Sequence, residues 1–263
     1  VYGSDELARL TESFNEMLKS LQESRERQSQ LVADAGHELK TPLTSLRTNI
    51  ELLMMASKNP SDTITPDDIA DLEHDVMSQL EELTNLVTDL VDLAREDSQH
   101  SVVEPIDLGE ILDGVIDRVR RRRLDIKFTF NLIDWYLMGD QRGLSRAFLN
   151  VLDNAAKWSP ENGTVTMTMQ QIDDDRVEIT VDDEGPGIPA DERELVFERF
   201  YRSVESRAMP GSGLGLAIVK QVMESHGGSV RAEESPRGGT RMVLELPGGP
   251  QITSNNNEAM RIS

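Results

Sequence analysis

Residues 33–49 read ADAGHELKTPLTSLRTN, a helix-forming stretch that carries a histidine beside a glutamate, a threonine four residues on, and then a proline. His37 and Thr41 are one helical turn apart and share a face, and Glu38 adjoins the histidine three residues before Thr41. A neutral imidazole exposed on a helix can act as a nucleophile, and a carboxylate on its other ring nitrogen fixes the tautomer and stabilises the charge built up in attack. Pro42 has no N–H, so the carbonyl of Glu38 has no helical partner, and the helix is expected to bend or loosen beside His37. Inside a helix a proline costs about 3 kcal/mol, enough to ask what it achieves; a bend that lets a second domain reach His37 is one answer. A lone His-Glu pair is most often an inert surface feature, so His37 needs support from elsewhere in the chain. His74, His100 and His226 have no comparable context and read as solvated, inert surface residues.

Outward from this stretch the apolar residues keep a three-four spacing. Leu7, Leu10, Phe14, Met17 and Leu21 precede it with the 3.5-residue mean of a coiled-coil seam. The polar run from Ser24 to Gln30 has no Gly or Pro to end the helix. Leu39, Leu43, Leu46, Ile50 and Leu53 then carry the seam on, with Gly36 on the same line, to about Ser57, and Asn59-Pro60-Ser61-Asp62 reads as a turn. Thr65 is placed as an N-cap with Pro66 at the first helical position. Ile69, Leu72, Val76, Leu83, Leu86, Leu90 and Leu93 repeat the spacing. Two long helices joined by a loop form a hairpin whose apolar stripe is not fully covered, and the economical cover is a four-helix bundle made by homodimerisation.

After Ser101 the texture changes. Phe128–Leu132, Val165–Gln171, Val177–Val181, Ser229–Ala232 and Thr240–Leu246 read as strands, and Leu108–Arg122, Gln141–Trp158 and Leu214–Ser225 as helices. Strands and helices mix without regular alternation, which points to an α+β sandwich, not a doubly wound sheet. The expected organisation is a linker helix over 1–27, a helical-hairpin domain over 28–100, the sandwich over 101–247 and a disordered Gly, Pro and Asn-rich tail over 248–263. The formal net charge of −21 opposes a nucleic-acid partner. With no cysteine in the chain, disulfides and thiolate chemistry drop out. No apolar run approaches the roughly 20 residues of a membrane span. The chain starts on Val1, so an excised part of a longer protein is expected.

Support for His37 lies in four segments of the second half. In LNVLDNAAKWSP, Asn150, Asn154 and Lys157 form a polar line at i, i+4 and i+7 along an apolar helix; asparagine oxygens suit Mg²⁺ already held by phosphates, and lysine adds charge. In VDDEGPGIP, Asp183 ends a strand where it can accept a hydrogen bond from an exocyclic amine, while Gly185 and Gly187 let a flat base approach the backbone. In GSGLGLAIVK, Gly211, Gly213 and Gly215 precede an apolar helix whose N-terminal N–H groups suit phosphate. In VFERFYRS, Arg199 and Arg202 lie among Phe197, Phe200 and Tyr201, within reach of a terminal phosphate. Each segment alone has an ordinary reading as a helix face, a turn or an aromatic patch. The arginine run Arg118–Arg123 reads as a solvated helix end, with anionic lipid as a lesser alternative.

In this order the segments resemble the sensor histidine kinases of bacterial two-component systems, over nearly the whole chain from about Ser4 to Leu246. HELKTP resembles the family's H box, LNVLDNAAKWS its N box, DEGPG its first glycine box, FERFYR its F box and GSGLGLAI its second. The opening GSDELARLTESFNEMLKSL is similar to the last helix of a HAMP linker, which in the family follows a membrane span. The H box wording is similar to that of mycobacterial and related actinobacterial stress sensors. The resemblance implies a dimerisation hairpin followed by an ATP-binding sandwich of the GHKL type, in the cytoplasmic part of a bacterial inner-membrane receptor. It implies His37 as phospho-acceptor, Glu38 as assisting base and Thr41 as the group that positions water for hydrolysis of the phosphorylated partner. ATP and Mg²⁺ would meet Asn150, Asn154 (the metal ligand), Lys157 on phosphate and Asp183 on the adenine amine. Gly185, Gly187, Gly211, Gly213, Leu214 and Gly215 would shape the lid and phosphate loop, and Arg202 would approach the γ-phosphate. Trp158 departs from the usual tyrosine or phenylalanine, and its ring would still pack on the base. The implied partner is the receiver domain of a response regulator, which would dock on the bundle below His37. The alternatives are a GHKL-superfamily ATPase or serine kinase, and a coiled-coil adapter with a degenerate ATP lobe.

Overall fold

The computed structural model describes residues 3–58, 65–96, 102–203 and 211–251. The expected turn at 59–62, His100 and most of the expected tail lie outside these residues. The chain divides into two compact units, residues 1–99 and 100–263.

The first unit is a helical hairpin of α1 (Gly3–Lys58) and α2 (Pro66–Glu96). Thr65 caps α2 as the sequence predicts: its hydroxyl accepts from Asp68 N–H at 3.2 Å, and the Asp68 carboxylate accepts from Thr65 N–H at 2.8 Å. This reciprocal pair is a capping box with aspartate in the usual glutamate position. It holds the Asp68 carboxyl below its ordinary range, chiefly through the Thr65 N–H. Helix α1 continues through Pro42 without a break.

The α2 seam is the expected one with Gln79 added, while on α1 Leu39, Leu46 and Leu53 keep their places and the rest of the expected line does not. Leu46 and Ala56 are buried and Leu39, Pro42, Asn49 and Leu53 half-buried, which is a heptad spacing of its own. On α2 the matching line is Ile69, Leu72, Val76, Gln79, Leu83, Leu86, Leu90 and Leu93, with Leu86 and Leu93 fully inside. Gln79 joins the helices through Nε2 to Ser45 Oγ at 2.9 Å. Gly36, Leu43 and Ile50, expected on this seam, are exposed instead. A helix that packs on two neighbours needs two apolar stripes, and the periodicity of one stripe shades into the next. Leu43, Ile50 and Met54 on α1 and Met77, Leu80, Val87 and Val91 on α2 form that second stripe, each at least 40% exposed.

The second unit is an α+β sandwich, as read from the sequence. Strands β2 (Lys127–Asn131), β4 (Thr164–Asp173), β5 (Arg176–Asp182), β6 (Ser229–Glu234) and β7 (Thr240–Pro247) form one sheet in the order β2-β4-β5-β7-β6. Only β2 and β4 run parallel; the other neighbours are antiparallel. Alternate residues of β4 and β5, Val165, Met167, Met169, Val177, Ile179 and Val181, are buried. The face they make is covered by α4 (Gln141–Trp158) and α5 (Gly215–Ser225), with α3 (Leu108–Arg122) packed beside α4.

A small second sheet pairs β1 (Glu104–Asp107) with β3 (Tyr136–Gly139) and has no counterpart in the sequence reading. Four residues give too few alternations to register, and Pro105 argues against a strand unless it lies at an edge. The arginine run is also more engaged than a solvated helix end. Arg122 pairs with Asp153 at 2.9 Å, Arg123 donates to the Ala156 carbonyl and grips Asp125, and Arg120 lies 5.0 Å over the Phe130 ring. His226 is not the solvated residue expected: it is half-buried, Nε2 accepts from the Asp140 N–H at 2.9 Å and Nδ1 lies 2.7 Å from the Val222 carbonyl. With Nε2 accepting, Nδ1 is the nitrogen placed to donate to the Val222 carbonyl.

Candidate functional site

The polar line of α4 meets the glycine segments. Asn150, Asn154, Lys157 and Trp158 are all half-buried, while Val151, Leu152, Ala155 and Ala156 on the opposite face are buried. Asn150 Nδ2 donates to the Gly215 carbonyl at 3.2 Å, which ties the middle of α4 to the first turn of α5. A Cβ on Gly211 would stand 3.2 Å from Lys157 Nζ, so glycine there leaves the ammonium open to the loop. Lys157 Nζ lies 5.4 Å over the Trp158 ring, and Trp158 Nε1 donates to Asn154 Oδ1 at 3.2 Å.

Asp183 lies at the far side of the same site, only 3% exposed. Its Oδ1 accepts from Gly185 N–H at 2.8 Å and Thr240 N–H at 2.9 Å. Burial pushes this carboxyl above the ordinary aspartate range, against the lowering effect of the Thr240 and Gly185 N–H groups. A carboxylate held by two backbone donors on one oxygen is fixed in direction, which suits recognition of a donor on a ligand. Gly185 packs on the end of α4: a Cβ there would stand 2.9 Å from the Trp158 carbonyl. Gly239 and Thr240, which the sequence reading passed over, wall the site from the β6–β7 turn. A Cβ on Gly239 would collide with the Asp183 backbone carbonyl and carboxylate. The signal available was Gly-Gly-Thr opening a strand, the kind of pattern that marks close backbone approach.

The phosphate-loop candidates and the aromatic segment lock together. Gly213 has φ +70, and a Cβ on it would stand 2.9 Å from the Phe200 carbonyl carbon and the Tyr201 oxygen. Phe200 itself has φ 62, uncommon for a bulky residue, and its N–H donates to the Gly213 carbonyl at 3.1 Å. Arg202, two residues on, is half-buried and Arg199 likewise. Leu214 is fully buried and sits at the N-cap of α5, with its N–H on Ser212 Oγ at 3.2 Å. Lys220, in the second turn of α5, pairs with Glu198 at 3.6 Å. Asn150, Asn154, Lys157, Trp158, Asp183, Gly185 and the Gly211–Gly215 loop are thus drawn together from three segments, while Gly187, with φ +78, lies against the Gly239 carbonyl.

In the first unit, His37, Glu38 and Thr41 are all exposed on α1, with His37 and Thr41 on one face. That exposure leaves the imidazole accessible to an electrophile delivered from outside the hairpin. Among the described residues no group of three or more His, Cys, Asp or Glu could hold a metal ion. No helix among the described residues is long and apolar enough to cross a membrane.

Residues 27–99 match the His Kinase A (phospho-acceptor) domain, and residues 139–250 match the histidine kinase-, DNA gyrase B- and HSP90-like ATPase family. The chain is 59% identical over 259 residues to the signal transduction histidine-protein kinase/phosphatase MprB of Mycobacterium leprae, covering 97% of this chain and 50% of that protein. It therefore spans about half the length of the curated relatives it matches. Among solved structures, the mycobacterial sensor histidine kinase MprB shares 52% identity at a TM-score of 0.54, over 57% of this chain and 100% of that one. Full-length ShkA in complex with AMPPNP aligns over 85% of this chain and 47% of its own at 26% identity and a TM-score of 0.57.

Proposed function

The chain belongs to the histidine kinase family, and on that premise we propose that it phosphorylates itself on His37 from ATP and passes the phosphoryl group to a response regulator. The observation that carries the reading is the convergence of Asp183, the Asn150–Asn154–Lys157 line and the Gly211–Gly215 loop in one site of an ATPase-type fold. In this reading residues 28–100 are the dimerisation and phosphotransfer domain and 101–247 the catalytic domain. Residues 1–27 are a HAMP-like signalling helix that links them to a membrane receptor.

Asp183 accepts from the adenine amine, Gly185 and Gly187 admit the base, and Trp158 packs on it. Lys157 and Arg202 neutralise phosphate charge, and the N–H groups at the start of α5 bind phosphate oxygens. The donor set fits a magnesium nucleotide, since Asn150 and Asn154 offer neutral amide oxygens beside a lysine-lined glycine loop. Bound there, Mg²⁺ supplies charge neutralisation on the phosphates. A ring nitrogen of His37 forms the N–P bond as the bond from the γ-phosphorus to the bridging oxygen breaks and ADP leaves. Glu38 takes up the imidazole proton. The transition state asks for little covalent work, so positioning and charge supply most of the acceleration.

The exposed stripe of Leu43, Ile50 and Met54 with Met77, Leu80, Val87 and Val91 supports a homodimer, because a second hairpin would cover it. Thr41, one turn from His37, positions water when the same face hydrolyses the phosphorylated regulator. The test is transfer: chain labelled with γ-phosphate from ATP, then mixed with candidate receiver domains, should lose its label to the aspartate of one of them within minutes. Retention against every receiver tried would refute the transfer step.

Pro42 belongs to the same account. Pro42→Ala restores the N–H to the Glu38 carbonyl and should raise hairpin stability, by less than about 3 kcal/mol because the ring also packs in the seam. With the helix stiffened, autophosphorylation should fall relative to phosphatase activity. An unchanged ratio of the two would show that the proline serves neither.

A further inference from the structure

We propose that Trp158 is a positioning residue for the metal side of the site: its indole N–H holds the Asn154 amide so that Oδ1 faces the cation. The inference rests on the nucleotide reading given above and goes beyond the stacking role that an aromatic at this place suggests. Trp158 is the last residue of α4, one turn after Asn154, and donates Nε1–H to Asn154 Oδ1 at 3.2 Å. An asparagine amide has two ends of nearly equal shape, and only the oxygen can ligate a cation. A donor fixed on that oxygen selects the productive orientation, and the oxygen keeps a second lone pair for the metal.

The anchoring around Trp158 is rigid. Its carbonyl is packed against Gly185, and the following residue, Ser159, closes the helix with N–H and Oγ both on the Ala155 carbonyl, at 3.1 and 2.9 Å. The indole face sits 5.4 Å from Lys157 Nζ, so one side chain orients both the neutral ligand and the phosphate-binding cation. Asn150 is oriented by different means, through Nδ2 to the Gly215 carbonyl. Tyrosine or phenylalanine keeps a ring face for Lys157 but has no donor at the position of the indole nitrogen. The tryptophan is therefore a substitution with a consequence for the metal, not a neutral exchange of aromatics.

The test measures ATP affinity calorimetrically on the whole chain, with excess Mg²⁺ and with EDTA, for wild type, Trp158→Phe and Trp158→Tyr. Loss of an orienting partner of a metal ligand typically costs 10–100-fold in metal affinity, so both variants should lose about tenfold of the Mg²⁺-dependent gain. Their Mg²⁺-free ATP affinity should change far less. An equal loss with and without Mg²⁺ would reduce Trp158 to ring packing and overturn the proposal. A larger Mg²⁺ gain in the variants would overturn it too, by showing that the N–H competes with the cation. A second readout needs no nucleotide. The Trp158 indole N–H resonance should shift and exchange faster with solvent in Asn154→Ala, and an unmoved signal would deny the hydrogen bond. Wild type that binds no ATP under either condition would defeat the nucleotide reading itself, whatever the indole signal does.

Discussion

Asp183→Asn should cost the chain about hundredfold in ATP affinity and leave its melting temperature unchanged or slightly higher. The two effects would separate because, in the proposed site, the carboxylate accepts from the ligand while its burial burdens the fold. An asparagine oxygen can still accept from Gly185 and Thr240 N–H, so the local backbone keeps both bonds. Its NH₂, however, meets the adenine amine donor to donor, and a buried donor left unpaired loses roughly 1–3 kcal/mol. The fold, meanwhile, is relieved of a buried charge. Burial raises the Asp183 carboxyl, so the native state holds this proton more tightly than the unfolded chain does. Between the ordinary carboxylate range and the raised value, the contribution of this group to stability is lost as pH rises. Asparagine has no such titration. Thermal melts across that acid range should therefore show the wild type losing stability relative to the variant as pH increases, and parallel curves would contradict the assignment.

His37→Gln should abolish phosphoryl uptake entirely and leave ATP affinity within error of wild type. The side chain is exposed on α1 and lies off the seam that carries Leu46 and Ala56, so stability should move by less than about 0.5 kcal/mol. Calorimetric ATP titration beside a labelling assay checks both halves. Loss of ATP binding in this variant would mean that His37 has a role in the nucleotide site that the fold gives no reason to expect. Residual label would mean another acceptor.

Much of the second unit was legible because its long elements obey strong rules. Helices α3 and α4 fall on Leu108–Arg122 and Gln141–Trp158 as the apolar period places them, and each begins at an aspartate that caps its first turn. The line of Asn150, Asn154 and Lys157 was legible for the same reason, since i, i+4, i+7 spacing fixes one face. Gly239 and Thr240 were not, because their part in the site comes from a long-range approach to Asp183 that local pattern does not encode. The hairpin seam shows another limit. Leu43 and Leu46 are equally apolar, yet only Leu46 is buried within the hairpin. A helix with two apolar stripes has a period that reports both at once, and only packing assigns each residue to one of them. The engagement of Arg122 and Arg123 with Asp153, Asp125 and Ala156 is likewise a tertiary outcome, invisible in a run of like charges.

The phosphoryl group from ATP should end on His37. The most direct measurement incubates the purified chain with γ-labelled ATP and Mg²⁺, maps the labelled peptide and tests the bond in acid and in base. A single labelled peptide containing His37 is expected, with label lost in acid, kept in base and absent from His37→Gln. Label that survives acid, maps to a serine or threonine, or persists in His37→Gln would contradict it.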